Sequence, residues 1–354
     1  MKAVLLTGNG GFDKLVYRED VAVPVAGGGE VLIKVGAAGV NNTDINTRTA
    51  WYSKSVSAAT DAGGADGFAE ARTADSGWTG AVPQFPRIQG ADACGIIVAV
   101  GSGVSADRIG ERVLVEPVFR GPADAPYAGT YFGSEVDGGF AEFACAPSVH
   151  AHRIVSPLSD VELASFPCAW SAAENMLTRV ALAAGEQVLI CGASGGVGSA
   201  AVQLARRRGA IVTAISSADK LAAIAALGAD RVITRDADIA AQFGHDHFDA
   251  VIDMVGGDQF GARLDALKRG GHYAVAGAIA GPIVDLDLRT LYLKDLRLVG
   301  CTILDPGVFA NLVRYIEAGE IRPLVSCTYP LSQIVAAQQA FLTKQHIGKI
   351  VLVP

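Results

Sequence analysis

Four glycines within seven positions form the segment of this chain that is best suited to chemistry. Gly192, Gly195, Gly196 and Gly198 follow the apolar run VLIC and precede a helix-like segment whose apolar residues share one face. Glycine permits positive φ and close approach of the backbone to a ligand, and the first amides of a helix attract anions. A second apolar run, IVTAI, follows Gly209. The order strand, turn, helix, strand predicts a site for the diphosphate of a dinucleotide.

The two parts of the chain have different patterns of predicted secondary structure, and the glycine turn lies in the second part. The second part alternates helix-like segments with the apolar runs VLIC, IVTAI, RVIT, DAVIDMVGG, HYAVAGAIAG and LRLVGC, which indicates a doubly wound parallel sheet. The first part contains short β-branched runs broken by Gly, Pro and Asp, typical of an antiparallel barrel or sandwich. We predict an α/β protein with a Rossmann domain at 160–303, a β-rich domain at 1–159 and 304–354, and an irregular inserted loop at 51–80.

Composition restricts the class of protein further. The chain has 354 residues, half of them hydrophobic, and a formal net charge of −7 at pH 7. This length favours two domains, and the acidic charge argues against sequence-independent binding of nucleic acid. No apolar segment reaches the roughly twenty residues of a membrane span, and the N-terminal segment turns polar too soon for a signal peptide. We therefore expect a cytoplasmic protein with no nucleic-acid or membrane partner.

Several motifs together resemble the medium-chain dehydrogenase/reductase superfamily along almost the whole chain. They are AAGVNNTD, GADACGIIVAVGSGV, GERV, DGGFAEF, GASGGVGSAAVQLA, LGAD, DMVGG and HIGKIVLVP. Within the superfamily, the chain is most similar to the zinc-independent quinone reductase and alcohol dehydrogenase-like branch. The resemblance implies a GroES-like barrel for the β-rich domain, a Rossmann domain beside it in the sequence, and a nicotinamide cofactor.

The resemblance allows the metal positions to be compared one by one. Asn41, Ala91 and Cys168 occupy the catalytic-zinc positions, but alanine cannot ligate and a neutral amide is a poor zinc ligand. Asp92 keeps the acid that follows the lost histidine, so a rearranged site of Asp92 and Cys168 stays open. The clustered cysteines of the structural zinc lobe are replaced by VFRGPADAPYAGTYFG at 118–133. The six cysteines are scattered, without C-x-x-C, so we expect reduced thiols and no bound zinc.

Without a metal, side chains must polarise the substrate and supply a proton. By resemblance, Asn41 and Tyr52 face the nicotinamide, and Thr43 lies where alcohol dehydrogenases keep a proton-relaying hydroxyl. Asn46 replaces the histidine further along that relay and cannot transfer protons at neutral pH. Asn41 could instead cap a turn and Tyr52 could pack within its loop, while Asp44 is expected to accept backbone N–H groups.

The residues after the second Rossmann strand bear on the choice between NAD and NADP. NAD-binding proteins usually carry an acid there, whereas TAISSADK offers Ser216, Ser217 and Lys220 as donors to a 2′-phosphate. By resemblance, Lys220 matches a phosphate-binding lysine and Arg235 is a second basic candidate. These residues favour NADP, although Lys220 could be a solvated helix residue beside Asp219.

The other cofactor contacts are implied by the resemblance. They are Ala193, Ser194, Gly195, Gly196 and Val197 in the glycine turn, Ser171 at the nicotinamide end, Val255 after the DMVGG strand, Ala276, Gly277 and Ala278 in the AGAIAG turn, and Lys349 in HIGKIVL. Lys349 could equally be solvated on an edge strand. Arg48 and Asp253 are expected to be structural.

These residues predict an NADPH-dependent oxidoreductase without catalytic zinc that transfers hydride to a quinone, enone or carbonyl. Two alternatives stay open: reversible alcohol oxidation through the Thr43 relay or a depleted zinc site, and a non-catalytic protein that binds NADPH without turnover. The apolar run LRLVGCT would be the last strand of the Rossmann sheet, and such an edge is normally covered. We expect a homodimer joined near Leu298 to Cys301, with a small molecule as the other partner.

Overall fold

The structure is a computed structural model that describes residues 1–121, 125 and 127–354. Residues 122–124 and 126 belong to the segment that replaces the structural zinc lobe, and they lie outside the described residues. The chain divides into two compact units, which we call unit 1 and unit 2. Unit 1 comprises Met1–Val56, Asp61–Cys168 and Phe309–Pro354, and unit 2 comprises Ser57–Thr60 and Ala169–Val308.

Strands dominate unit 1, and strands and helices alternate in unit 2. In chain order the strands are β1 (Ala3–Leu6), β2 (Leu15–Arg18), β3 (Glu30–Val40), β4 (Arg87–Ile88), β5 (Cys94–Val100), β6 (Arg112–Val115), β7 (Val118–Phe119), β8 (Thr130–Tyr131), β9 (Phe143–Pro147), β10 (Ala151–Arg153), β11 (Gln187–Ile190), β12 (Ile211–Ser216), β13 (Arg231–Thr234), β14 (Phe248–Asp253), β15 (Leu267–Val275), β16 (Arg297–Gly300), β17 (Val325–Pro330) and β18 (Lys349–Val353). The α-helices are α1 (Asn42–Thr49), α2 (Asp160–Leu163), α3 (Pro167–Arg179), α4 (Gly196–Arg207), α5 (Leu221–Ala225), α6 (Ile239–Phe243), α7 (Phe260–Asp265), α8 (Leu288–Leu293), α9 (Val308–Glu317) and α10 (Ile334–Leu342). Across the described ranges, no helix combines the length and the apolarity needed to cross a bilayer.

Unit 1 is built around the long strand β3. Its seven-stranded sheet has the order β10-β6-β5-β3-β18-β17, with β9 also paired to β3, and only the β17–β18 pair is parallel. Alternate side chains of β3 enter the core, where Val31 and Ile33 are fully buried, because successive residues of a strand face opposite sides. The predicted GroES-like, mostly antiparallel domain is confirmed, and it also contains α2 and the first residues of α3.

Unit 2 is a Rossmann domain. Its six strands are all parallel and have the order β13-β12-β11-β14-β15-β16, so the chain changes direction across the sheet between β11 and β14. Helices separate these strands, and the side chains of Val188, Leu189 and Ile190 in β11 are fully buried. Continuous apolar runs are needed here because both faces of a parallel sheet are covered. The predicted doubly wound fold is confirmed.

One buried arginine joins Gly64 of the irregular segment 51–80 to other parts of unit 1. Arg48 in α1 is fully buried and donates to the carbonyl oxygens of Gly10 at 2.8 Å and Gly64 at 2.6 Å. It also donates to Oε1 of Gln338 in α10 at 2.9 Å. The prediction that Arg48 is structural agrees with these contacts, because a buried guanidinium must have its donors satisfied.

We expect Arg48→Ala to lower the free energy of unfolding by about 3 kcal/mol or more, because three buried acceptors lose their donor. The measurement is the urea midpoint of unit 1, followed by the fluorescence of Trp51 and Trp78. Arg18→Ala is the matched control, since Arg18 pairs with Asp20 on the surface, and its midpoint should not move. Equal midpoints for the two variants would contradict the anchoring role.

Candidate cofactor and reaction sites

The glycine turn of unit 2 joins β11 to α4. Gly192 has a φ of 71°, which favours glycine. A Cβ on Gly198 would lie 2.2 Å from the carbonyl oxygen of Gly192, so this glycine lets the helix pack closely on the turn. A Cβ on Gly195 would meet only that oxygen, at 3.7 Å. Gly195 is therefore the glycine whose exposed face is open to a ligand.

The beginning of α4 leaves amide groups available at this turn. The helix begins at Gly196, and its N-cap, Gly195, offers no side chain to the first N–H groups. Such amides have no intrahelical acceptor and form an anion site together with the helix dipole. Ala193 and Ser194 are buried beneath the turn, and the Ala193 N–H donates to the Ile215 carbonyl of β12 at 3.0 Å. Backbone amides at this turn are therefore placed where the sequence predicts a diphosphate cradle, and their contact with a cofactor stays a prediction.

Hydroxyl and cationic groups gather after β12. Ser216 is 1% exposed, and its Oγ has no hydrogen-bond partner among the described residues. Ser217 is hydrogen-bonded to the Asp219 carboxylate and helps to lower its pKa. Burial lowers the pKa of Lys220, and the positive charge of Arg235 also lowers it. The negative charge of Asp219 acts in the opposite direction and raises this pKa. Lys220 is only 4% exposed, so it is not the solvated helix residue of the alternative interpretation.

The two turns at the carboxyl ends of β14 and β15 hold each other in place. Asp253 is fully buried and accepts the Val255 N–H at 2.8 Å and the Tyr273 hydroxyl at 2.7 Å. The Asp253 carbonyl accepts the Ala276 N–H at 3.2 Å, and the Val255 carbonyl accepts the Ala280 N–H at 2.8 Å. The Asp253 carboxylate therefore accepts hydrogen bonds that hold the turn after β14, in agreement with its predicted structural role.

Three further predicted cofactor residues lie in unit 2. A Cβ on Gly277 would approach the Met254 carbonyl oxygen to 3.1 Å, and Ala278 packs against Gly256. Ser171 is 1% exposed on α3. Their contact with a cofactor stays a prediction.

A buried carboxylate organises the second group of predicted residues, in unit 1. Asp92 is fully buried, and its Oδ2 lies 2.6 Å from the Lys349 ammonium and accepts the Asn41 side-chain amide at 2.8 Å. Its Oδ1 accepts the N–H of Cys168 at the start of α3 at 2.5 Å. The Lys349 ammonium also donates to Asn41 Oδ1. The structure thus brings Asn41 and Lys349 together around Asp92.

Lys349 is neither solvated nor on a sheet edge. Its strand, β18, lies between β3 and β17, and the residue is 3% exposed. The alternative of a solvated edge lysine is therefore wrong, because β18 enters the interior of the sheet. Lys349 belongs to unit 1, so the structure groups it with Asn41 rather than with the predicted cofactor residues of unit 2.

Two tyrosines and a threonine form a hydroxyl cluster in the same unit. The Tyr131 hydroxyl and the Cys168 thiol are hydrogen-bonded at 2.9 Å. The Thr43 side chain lies near enough to both tyrosine hydroxyls to lower their pKa, and Asn46 does the same for Tyr52. Burial raises the pKa of both tyrosines, so their hydroxyls are neutral donors at physiological pH. The predicted residues Thr43 and Tyr52 are therefore in contact.

Asp44 and the first turn of α1 hold this cluster in place. Asp44 accepts the Asn41 N–H at 2.7 Å and the Gly90 N–H at 3.3 Å, as the sequence predicts. Burial raises the pKa of Asp44 to about 7, against the lowering effect of the Asn41 and Gly90 amides. Asn41 is the N-cap residue of α1 and is 7% exposed.

The donor set at the catalytic-zinc positions does not fit zinc. Of the residues at the three zinc positions, only Cys168 offers a side chain that zinc commonly binds, and one thiol does not make a zinc site. Both side-chain polar atoms of Asn41 are engaged, Ala91 offers no ligand, and Asp92 already accepts three donors. The ammonium of Lys349, paired with the Asp92 carboxylate, lies beside these residues instead.

Sequence reasoning missed Tyr131 and the contact that covers it. Trp78 of the segment 51–80 stacks on Tyr131, with ring centroids 4.5 Å apart and an interplanar angle of 24°. Tyr131 belongs to the replaced lobe, for which the resemblance supplies no residue to compare. The sequence signal that could have indicated Tyr131 is an aromatic residue within a loop rich in small residues. The pairing of Trp51 with Tyr52 at 5.8 Å adds a second aromatic contact.

The Rossmann sheet with its glycine turn defines a dinucleotide-binding α/β protein. Two family models match the chain, the alcohol dehydrogenase GroES-like domain at 27–156 and the zinc-binding dehydrogenase domain at 196–318. The second match does not include Asn41, Ala91 or Cys168.

Individual proteins extend this result along the whole chain. The structure of a putative alcohol dehydrogenase from Sinorhizobium meliloti 1021 is 47% identical with a TM-score of 0.89, covering 100% of this chain and 96% of that one. Quinone oxidoreductase from Lama guanicoe is 29% identical over 99% of this chain and 97% of its own. A 2-octenoyl-CoA carboxylase reductase, solved in complex with NADP and 2-octenoyl-CoA, is 25% identical with a TM-score of 0.82, over 99% of this chain and 87% of that one. The chain therefore belongs to the medium-chain dehydrogenase/reductase superfamily of oxidoreductases.

We expect Gly195→Ala and Gly198→Ala to have opposite effects. The Cβ of Gly198→Ala overlaps the Gly192 carbonyl, so the unfolding free energy of unit 2 should fall by about 1–3 kcal/mol. Gly195→Ala should keep the wild-type melting temperature, because its Cβ meets no protein atom closer than 3.7 Å, but should weaken NADPH binding at least tenfold. Calorimetric melting and titration with NADPH measure both effects. Unchanged NADPH affinity in Gly195→Ala would show that the open face of this glycine is not the ligand face.

Proposed function

We propose that this protein is an NADPH-dependent oxidoreductase that reduces a quinone or an α,β-unsaturated carbonyl compound without catalytic zinc. The observation that carries the proposal is the replacement of a zinc donor set by the Lys349 and Asp92 pair beside the neutral hydroxyls of Tyr52 and Tyr131. The named activity of the quinone oxidoreductase relative, and the enoyl thioester bound to the carboxylase reductase, support this substrate class.

The chain's own residues would hold the cofactor in unit 2. The amides of Gly196 and Val197 at the start of α4 would bind the diphosphate. Ser217, Lys220 and Arg235 would bind the 2′-phosphate, since hydrogen bonds between charged groups are the strong ones. When bound, NADPH supplies the hydride. The NADP in the carboxylase reductase complex supports this choice of cofactor.

The reaction residues of unit 1 would stabilise negative charge on the substrate oxygen. A phenol that stays neutral can donate a hydrogen bond to an oxygen as that oxygen gains charge, and a fixed donor of this kind contributes about 10²-fold or more to the rate. Tyr52 is assigned this role, and Thr43 beside it is a polar neighbour that would help to orient the phenol. Asn41 would act through its bonds to Lys349 and Asp92, as a positioning residue.

Alcohol oxidation is the second candidate. The Thr43 hydroxyl lies near those of Tyr52 and Tyr131, so it could accept the proton of an alcohol substrate and begin a relay. The next group beyond Tyr52 is Asn46, whose amide cannot carry a proton, so the relay stops there. The structural similarity to alcohol dehydrogenases supports this candidate. Turnover of alcohols that depends on bound zinc would favour it over the first.

We also propose that the protein forms a homodimer through β16. This strand is at the edge of the Rossmann sheet, and Leu298 within it is 41% exposed. An apolar edge strand is a template for pairing with a second copy. A cytoplasmic location stays a prediction.

We expect Lys220→Met to weaken NADPH binding about 10- to 100-fold, because a charge-assisted hydrogen bond to phosphate contributes about 1.5–3 kcal/mol. NADH affinity should not change, and Arg289→Met, which removes a cation paired with Asp287 elsewhere in unit 2, should match wild type. Isothermal titration with both cofactors measures the effect. Equal losses of NADPH and NADH affinity would contradict a contact with the 2′-phosphate.

The activity itself is tested by NADPH oxidation with a panel of quinones, enones and aldehydes. Tyr52→Phe should lower kcat about 10²-fold for the best substrate and leave NADPH affinity unchanged. Tyr17→Phe is the control, because its hydroxyl contacts only Glu19 on the surface. Tight NADPH binding without oxidation across the whole panel would support the non-catalytic alternative. An unchanged kcat in Tyr52→Phe would remove this tyrosine from the reaction.

A further inference from the structure

Three side chains of unit 1 that belong to neither site converge on one point. Glu116 directly follows β6, His150 directly precedes β10, and His152 lies within β10. The two strands are paired antiparallel, with Val115 opposite Ala151. His150 ends a 3₁₀ turn, Ser148–His150, that leads into β10. A ring nitrogen of each histidine lies within 3.0 Å of Glu116 Oε2.

The distances within this cluster suit a small cation. His150 Nδ1 lies 3.0 Å and His152 Nε2 2.9 Å from the same oxygen, Oε2 of Glu116. The three ligand atoms lie within 4.8 Å of one another. Ligand atoms of a tetrahedral zinc site with bonds of about 2.0–2.1 Å are about 3.3 Å apart. The two distances between nitrogen and oxygen would therefore have to lengthen by a few tenths of an ångström around an ion.

The surroundings hold the imidazoles in the orientation that a metal requires. His150 Nε2 accepts the Arg120 N–H at 3.0 Å and lies 3.1 Å from the Arg120 carbonyl oxygen. When Nδ1 binds an ion, the imidazole proton must move to Nε2, where the Arg120 carbonyl can accept it. Metal-binding histidines usually have this kind of outer hydrogen bond. His150 stacks on Phe119 at 5.3 Å, and His152 packs against Phe309 at 4.7 Å.

We propose that Glu116, His150 and His152 bind a divalent transition metal ion, with zinc the best match, and that this ion fastens β6 to β10 where the segment 118–133 begins. Two imidazoles and one carboxylate, with water as the fourth ligand, are a common zinc donor set. The site is separate from the catalytic-zinc positions, and it contains no cysteine. A search for clustered cysteines therefore cannot find it, although the spacing His-x-His in a strand is visible in the sequence.

The test uses full-length protein stripped of metal by a chelator and titrated with Zn²⁺ against a chromophoric competitor. Wild type should bind one equivalent, and Zn²⁺ should raise its melting temperature. His152→Gln and Glu116→Gln should each weaken Zn²⁺ binding at least tenfold and abolish the rise in melting temperature. His272→Gln, which changes a histidine of unit 2, and Cys168→Ser should bind Zn²⁺ as wild type does. Far-UV circular dichroism checks that each variant is folded.

Substitution with Co²⁺ separates this site from one at Cys168. Imidazole and carboxylate ligands give visible d–d absorption without the near-ultraviolet thiolate band that a cysteine ligand produces. The absence of stoichiometric Zn²⁺ binding, a thiolate band in the wild-type Co²⁺ spectrum, or full affinity in His152→Gln and Glu116→Gln would each overturn the proposal. NADPH oxidation is measured separately, because the proposal does not depend on the reaction.

Discussion

The buried pair of Lys349 and Asp92 is the interaction on which the reaction site depends. It joins β18, the start of α1 through Asn41, and the start of α3 through the Cys168 amide. Removing one partner of a buried ion pair typically costs about 3–5 kcal/mol, because the other charge is left unpaired. The carboxylate is therefore satisfied internally, and the side chains around it are held in one arrangement. A metal would have to displace this ammonium to reach Asp92.

The sequence predicted the fold well because its signals are local. The runs VLIC, IVTAI and RVIT became parallel strands, since a strand buried on both faces must be continuously apolar. The glycine turn at 192–198 was equally readable, because the φ of Gly192 favours glycine and a side chain at Gly198 would overlap the Gly192 carbonyl. The resemblance added the order of domains and the positions where zinc ligands are lost.

The reaction site was only partly predictable because its contacts are far apart in the chain. Asn41 and Lys349 were both named as candidates, yet nothing local indicates that they meet across 308 positions. Tyr131 contacts Cys168, 37 residues away, and is covered by Trp78 of the inserted segment. Such pairings follow from the register of β3 and β18 and from the path of the insertion. Neither the register of these strands nor the path of the insertion can be predicted from local sequence, because each depends on the complete fold.

The arrangement of charges also affects whether the site is better suited to an alcohol oxygen or to a carbonyl oxygen of the substrate. A zinc ion binds an alcohol directly and lowers its pKa, whereas the ammonium of Lys349 is already neutralised by Asp92 and cannot do the same. The neutral phenols of Tyr52 and Tyr131 can donate hydrogen bonds, and their raised pKa keeps them protonated near neutral pH, so no phenolate is available to remove an alcohol proton. Donors of this kind are of most use when negative charge develops on a carbonyl oxygen during reduction. The chemistry of the hydroxyl cluster therefore favours reduction of a quinone or enone over oxidation of an alcohol.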